Sequence, residues 1–174
     1  WRMGYEGASV EVLTQAMGVP RSSLYQLFGG KQALFFRAVE HYAATRLALL
    51  LAPLDDNVRL PDALAAFFEA VVRLATGDPE HLGCLVACVL SDAAGVDGRM
   101  RAELARRFAH VEGRLEQRFR AARAAGEVTG RDPAALAAVV AAVARGLMLG
   151  ARAGVDAATL RRTGATAVDM ICGR

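Results

Sequence analysis

Between Gly18 and Lys31 the chain reads Gly-Val-Pro-Arg-Ser-Ser-Leu-Tyr-Gln-Leu-Phe-Gly-Gly-Lys, and this stretch gathers side chains suited to contacting DNA. Wound as an α-helix, it sets Leu24 and Phe28 four apart on one side and leaves Arg21, Ser22, Tyr25 and Gln26 to point elsewhere. One helix then serves as both core and contact surface. Gly18 supplies a sharp turn before it, Gly29-Gly30 stops it, and Lys31 opens the next helix. A plain helical hairpin with solvated Arg21, Gln26 and Lys31 would use the same residue types. The joint spacing of Gly18, Leu24, Tyr25, Phe28 and Lys31 favours the DNA reading.

Other chemistry-bearing residues point less far. Cys84 and Cys88 stand four apart, one helical face if that segment is a helix, with His81 a turn earlier. That set admits a metal pair or a redox sensor. Its neighbours Leu85, Val86, Ala87, Val89 and Leu90 favour buried core thiols instead, and no fourth metal ligand is visible. His41 and His110 lie mid-helix without a Ser, Cys or carboxylate at a spacing that names a nucleophile or base, so no catalytic constellation stands out and no cofactor is implied. Arg99, Arg101, Arg106, Arg107, Arg114, Arg118, Arg120 and Arg123 give one long segment a basic side. Glu103, Glu112 and Glu116 interleave with them, which favours ion pairs on a wet face over a second DNA site.

The elements that must position these residues read as all-α. The chain has 174 residues, enough for a sizeable core, and its glycines and prolines cluster between apolar-periodic runs. A net charge of +3 is only mildly basic. The longest uncharged apolar run, Ala134 to Ala144, is ended by Arg145, so no membrane span is indicated. Three cysteines without disulfide-framework spacing suggest a reducing compartment, with cytoplasm the default. Trp1 to Met3 is expected to end a first, truncated helix and Tyr5 to Ala8 to form the turn into Ser9, the cap of a helix over Val10 to Met17. One long helix is expected over Lys31 to Leu51, and a polar loop containing Asp55-Asp56-Asn57 follows it. Further helices are expected from Pro61 to about Thr76, Cys84 to Ala94, Arg99 to Ala125, Ala134 to Arg152, and after the Asp156 cap to about Cys172.

Ser9 through Leu34, from Ser-Val-Glu-Val-Leu-Thr-Gln-Ala-Met-Gly to Lys-Gln-Ala-Leu, resembles the helix-turn-helix of TetR-type transcriptional regulators. The likeness rests on a glycine turn, a Leu-Tyr pair in the second helix, a Phe four after that Leu, and a Lys six after the Tyr. The helical remainder is similar in length and order to that family's regulatory domain, and Gly83-Cys84-Leu85 also occurs in some members. The resemblance implies a helix-turn-helix DNA-binding domain over 1–30 and an antiparallel helical bundle over 31–174 for ligand binding and dimerisation, with 31–51 as connecting helix. It places Arg21, Ser22 and Ser23 where side chains reach base edges. Arg21 is the strongest candidate, because a guanidinium bonds guanine O6 and N7 together, and Gln26 can read adenine likewise. Tyr25 and Lys31 match positions that hold phosphates, joined by Ser9 or the N–H of Val10. Two departures weaken the match: Leu27 stands where many relatives have a phosphate-touching His or Tyr, and Pro20 replaces a capping Ser or Thr.

One short helix-turn-helix covers few base pairs, so two-fold dimers carrying two readers about 34–36 Å apart are the usual solution. Ala142, Gly146 and Gly150 repeat a small residue every four and allow close helix approach. Leu147, Leu149, Leu160, Gly164, Ala167 and Ile171 would add apolar area to a homodimer interface; packing within the chain is the alternative. Phe67, Phe68, Val71, Cys84, Cys88, Met100, Leu104, Phe108 and Val111, from three middle helices, are the candidate lining of an effector cavity, best suited to an apolar or aromatic small molecule. In TetR-type proteins such a molecule alters the angle of the connecting helix. The expectation is a ligand-responsive repressor of a palindromic double-stranded operator, not an enzyme. Its rival is a small-molecule-binding or thiol redox-sensing helical protein without DNA binding.

Overall fold

Capping residues and glycines decide where the N-terminal helices start and stop. Ser9 Oγ accepts from Val12 N at 3.2 Å and so caps α2 (Val10–Met17), a contact worth about 1 kcal/mol. Gly18 ends it in the left-handed region (φ 66°): its N–H donates to Gln15 O, and Val19 N–H reaches back to Thr14 O. That paired closure turns the chain sharply into α3 (Arg21–Phe28), which Gly29 (φ 81°) ends, also left-handed, with a single bond from its N–H to Tyr25 O. Pro20 itself occupies the N-cap of α3, and its carbonyl accepts from Ser23 N and Leu24 N. Residues 4–7, expected to be mostly turn, instead form one helical turn, α1 (Gly4–Gly7), and Trp1 to Met3 are not helical. The reason is packing: the turn sets the Tyr5 ring 4.9 Å from that of Phe35 and under the Lys31 ammonium.

The computed structural model describes residues 1–54 and 57–173, and among them every regular element is helical. The Asp55-Asp56 part of the expected polar loop lies outside the described residues. The connecting segment is a continuous helical rod in three pieces. These are α4 (Lys31–Tyr42), a wider π turn over Ala43–Leu47, and α5 (Ala48–Leu51). Within the π turn Ala48 N–H donates five residues back to Ala43 O, and Thr45 Oγ1 donates to His41 O at 2.7 Å. A second π turn, Leu85–Leu90, runs into α7 (Ser91–Ala94) where an ordinary helix was expected.

Four long helices make the bundle: α6 (Leu60–Thr76), α8 (Gly98–Ala124), α9 (Pro133–Arg152) and α10 (Ala157–Cys172). Asp97, Asp132 and Asp156 each cap one of them with a side-chain oxygen. By length and composition α9 could cross a membrane, but it packs against α6, α8, α10 and the second π turn, which bury 44% of its apolar stretch. Helix α10 lies on α6 as well as α9. Leu147, Leu160, Gly164, Ala167 and Ile171, expected at an interface between chains, are all buried in that intrachain contact. Gly164 shows why: a Cβ there would stand 3.0 Å from Phe68 Cβ, so the small residue lets α10 and α6 touch.

Arg118 also departs from expectation. It is not on the wet basic face of α8 but 2% exposed, donating to Val58 O and, at 3.4 Å, to Glu127 Oε1. Glu127 Oε2 accepts from Leu60 N, so this pair ties the start of α6 to the end of α8. Arg106 on Glu103 and Arg120 on Glu116 pair on the outer face as the interleaved charges suggest, whereas Arg107, also on Glu103, is largely buried.

Candidate nucleic-acid interface and effector cavity

Helix α3 divides its sides cleanly. Leu24 is fully buried and Phe28 half-buried, while Arg21, Ser22, Tyr25 and Gln26 are exposed together and Ser23 lies half-buried at their edge. The Arg21 guanidinium sits 5.6 Å from the centre of the Tyr25 ring, and among the described residues no carboxylate pairs with it. The exposed guanidinium therefore keeps its donors free of carboxylates, with the ring beside it. Leu27, exposed to 71%, stands beside Ser23 and offers no hydrogen bond to a phosphate. Pro20 brings no side-chain cap, so the first N–H groups of α3 are not covered by a side chain.

Lys31 lies half-buried at the start of α4. Its ammonium is 4.4 Å from the Tyr5 ring centre and donates to Glu6 O at 3.3 Å, using one of three N–H donors. At the start of α2, Ser9 Oγ accepts from Val12 N, which leaves its O–H proton and the Val10 N–H for an anion. One residue beyond Lys31, Gln32 donates to Asp97 Oδ2 at 2.9 Å and accepts from Arg99 at 3.3 Å. The backbone N–H groups of Met100 and Arg99, joined by Gln32, hold the Asp97 carboxyl below the usual carboxylate range. The reader's connecting helix is thus latched to the cap of α8.

Between the connecting segment and the bundle lies an apolar cavity of about 40 Å³, room for a few waters. Five residues expected to line it do so: Phe67, Val71, Cys84, Phe108 and Val111. Four others go elsewhere. Phe68 turns to Gly164, Cys88 packs beside Gly83, Met100 is fully buried outside the cavity, and Leu104 is half-buried outside it. The walls that sequence reasoning missed are Leu47 and Leu50, Val86 and Ala87, Ala141, Ala144 and Met148, and the two arginines Arg107 and Arg145. Only Arg145, one charge in the middle of an apolar helix, carried a signal.

The cysteines do not share a helix face, because Cys84 is extended (φ −128°, ψ 134°) ahead of the π turn. Burial pushes the Cys84 thiol up, away from the reactive thiolate form. His81 is exposed and pairs with Asp78 at 2.7 Å, and among the described residues no three His, Cys, Asp or Glu side chains gather at a metal-holding distance. Beside Cys84 the hydroxyl of Tyr42, last residue of α4, is buried, and burial raises its pKa, with the neighbouring thiol adding to the rise. On the far side of α9, Val139, Ala142, Gly146 and Leu149 are exposed along one stripe, Gly150 is half-buried, and Met170 on α10 is 71% exposed.

This architecture is matched by known proteins along the whole chain. Residues 1–38 match the family model described as bacterial regulatory proteins, tetR family, and residues 61–167 match the tetracyclin repressor-like C-terminal domain. The uncharacterised HTH-type transcriptional regulator YezE of Bacillus subtilis is 32% identical over 133 residues, covering 74% of this chain and 66% of its own length. The HTH-type transcriptional repressor ComR of Escherichia coli is 27% identical over 175 residues, covering 98% of this chain and 82% of its own. Among solved structures, the regulator CifR with two cysteine substitutions, bound to a 26-base-pair operator duplex, superposes with a TM-score of 0.84 at 29% identity. That match covers 97% of this chain and 88% of CifR. A helix-turn-helix closed by Gly18 and a bundle of the matching type, in the matching order, make this chain a member of the TetR family of transcriptional regulators.

Proposed function

We propose that this protein is a cytoplasmic, ligand-responsive repressor that binds a palindromic operator as a homodimer and leaves it when a small molecule enters the cavity. Arg21 and Gln26 read bases with Ser22 and Ser23 beside them, while Tyr25, Lys31, Ser9 and Val10 hold phosphates. Residues 1–30 act as reader and 31–174 as the regulatory and dimerising part. The exposed stripe Val139, Ala142, Gly146 and Leu149, with Met170, is the surface left for a second copy. ComR is a repressor and CifR engages operator DNA, which supports the same role here.

The observation that carries the ligand response is where the cavity lies. Leu47 and Leu50 of the connecting segment form one wall, and α8 and α9 form another. Ligand sites usually offer about 300–1,000 Å³. A cavity of about 40 Å³ therefore admits an effector only by moving its walls, and one wall leads to the reader. Occupancy and the operator-competent arrangement oppose each other, which is the differential affinity that a population shift needs.

Genomic footprinting followed by titration of the recovered site tests this reading. Binding to a two-fold site as a dimer, with affinity falling steeply as salt rises, is expected. Absence of salt-dependent binding to any recovered palindrome would sink it.

A further inference from the structure

Among the described residues the only charged side chains lining the cavity are Arg107 on α8 and Arg145 on α9, and because its surface is almost wholly apolar both guanidiniums lie at its edge. Arg107 is largely buried, its side chain 14% exposed, and among the described residues it donates only through Nε, to Glu103 at 2.6 Å. Arg145 donates through one Nη to Glu112 at 2.8 Å and lies with its Cζ 4.6 Å from the centre of the Phe108 ring. A guanidinium carries five N–H donors, so each keeps several uncommitted. Glu103 is shared by Arg106 and Arg107, which leaves a net positive charge there. The one other polar lining group, the Cys84 thiol, is neutral at ordinary pH. Two cations at the edge of an otherwise apolar space cost desolvation that a buried anion would offset.

We infer that the effector is an amphipathic carboxylate: an apolar chain or ring system that fills the cavity, ending in a carboxylate held by Arg145 and Arg107. The inference rests on the effector-cavity reading above and names the ligand's class. A carboxylate matches the planar fork of a guanidinium in a bidentate way that an alcohol or ester does not. To reach Arg145 it displaces or shares the Glu112 contact, which is half-exposed and therefore weakly held. That contact ties α8 to α9, so the same exchange loosens the helix whose cap is latched to Gln32.

The test is calorimetric titration of the full chain with octanoate, decanoate and dodecanoate, each against the alcohol of equal length, alongside release of bound operator. Carboxylates are expected to bind at least about tenfold more tightly than their alcohols. Arg145→Gln should abolish that preference while leaving alcohol binding in place. Glu112→Gln should strengthen carboxylate binding and leave alcohols unchanged, which a purely structural role for the ion pair would not produce. Equal binding of acids and alcohols, with operator released by both, overturns the carboxylate inference and leaves the effector cavity standing. No binding and no release by any member of either series overturns both.

Discussion

Replacing Arg21 by Ala separates reading from anchoring if the reasoning about α3 is right. The Arg21 guanidinium has no carboxylate partner among the described residues and stacks near Tyr25, so its loss removes a contact to DNA and little else. A bidentate contact to a guanine is worth about 1–3 kcal/mol of discrimination, and a two-fold dimer loses it twice, about 2–6 kcal/mol. At about 1.4 kcal/mol per tenfold, preference for the cognate operator over a scrambled duplex should fall roughly 30-fold to 10⁴-fold. Lys31→Ala should act differently. It removes a cation held over Tyr5 with two donors to spare, so cognate and scrambled duplexes should weaken together. The slope of log affinity against log salt should flatten by about 2, one phosphate in each half-site. Fluorescence anisotropy on both duplexes at several salt concentrations measures both quantities. If Arg21→Ala preserves the ratio between cognate and scrambled operators, the base-reading role is wrong. If Lys31→Ala leaves the slope unchanged, no phosphate sits there.

Four further outcomes are expected. Arg118→Ala should cost about 3 kcal/mol in urea unfolding, the lower end for breaking a buried ion pair because Glu127 keeps some solvent contact, and a loss under 1 kcal/mol would contradict the tie it makes. Gly164→Ala should lower stability by about 1–3 kcal/mol through its clash with Phe68, whereas Gly146→Glu, at an exposed position where an added Cβ meets no neighbouring element, should weaken the dimer in sedimentation; persistent dimers would remove α9's exposed stripe from the interface. Gln32→Ala should keep operator affinity within a few-fold yet reduce its response to the carboxylate probes about tenfold, the size of one hydrogen bond to a charged acceptor, and an unchanged response would show that the latch transmits nothing.

Local signals in the chain were strong wherever one residue decides the geometry. Gly18, Ser9 and Asp156 mark helix ends by backbone freedom or by a short acceptor side chain, and both act within a few residues; Asp97 and Asp132 cap in the same way, though only the breaks beside them are readable from the sequence. The exposed side of α3 was readable for the same reason, from the placement of Leu24 and Phe28. What depends on distant partners was not. Leu160, Gly164 and Ile171 make an apolar face that suits a second chain as well as α6, and no periodicity distinguishes them. The π turns at Ala43–Leu47 and Leu85–Leu90 have ordinary helical compositions, so only packing chooses the wider turn. Cavity walls such as Leu47 and Ala144 look like any core residue, because a cavity is set by what neighbouring helices fail to fill.

The two ends of the connecting segment are constrained in different ways, and that shapes what an effector can do. At its start, Gln32 is bonded to Asp97 and Lys31 to Glu6, while α3 packs against α4 directly. At its far end, Leu47 and Leu50 face the cavity through apolar contact alone. Apolar contacts slide, whereas a hydrogen bond at 2.9 Å does not stretch far before it is lost. An effector pressing on Leu47 therefore tilts the segment about its pinned start more easily than it shifts it along its length. From Gln32 to Leu47 the lever is about 22 Å at 1.5 Å per residue, so a sidestep of about 1.5 Å at the cavity tilts it by about 4°. Base contacts tolerate about half an ångström in donor–acceptor distance, and a two-fold dimer applies the tilt in opposite senses at its two readers. The π turn lies between the pushed and pinned ends, where the backbone bonds are already five residues apart. How much tilt reaches Arg21 thus depends on whether Ala43–Leu47 bends before Gln32 and Asp97 part.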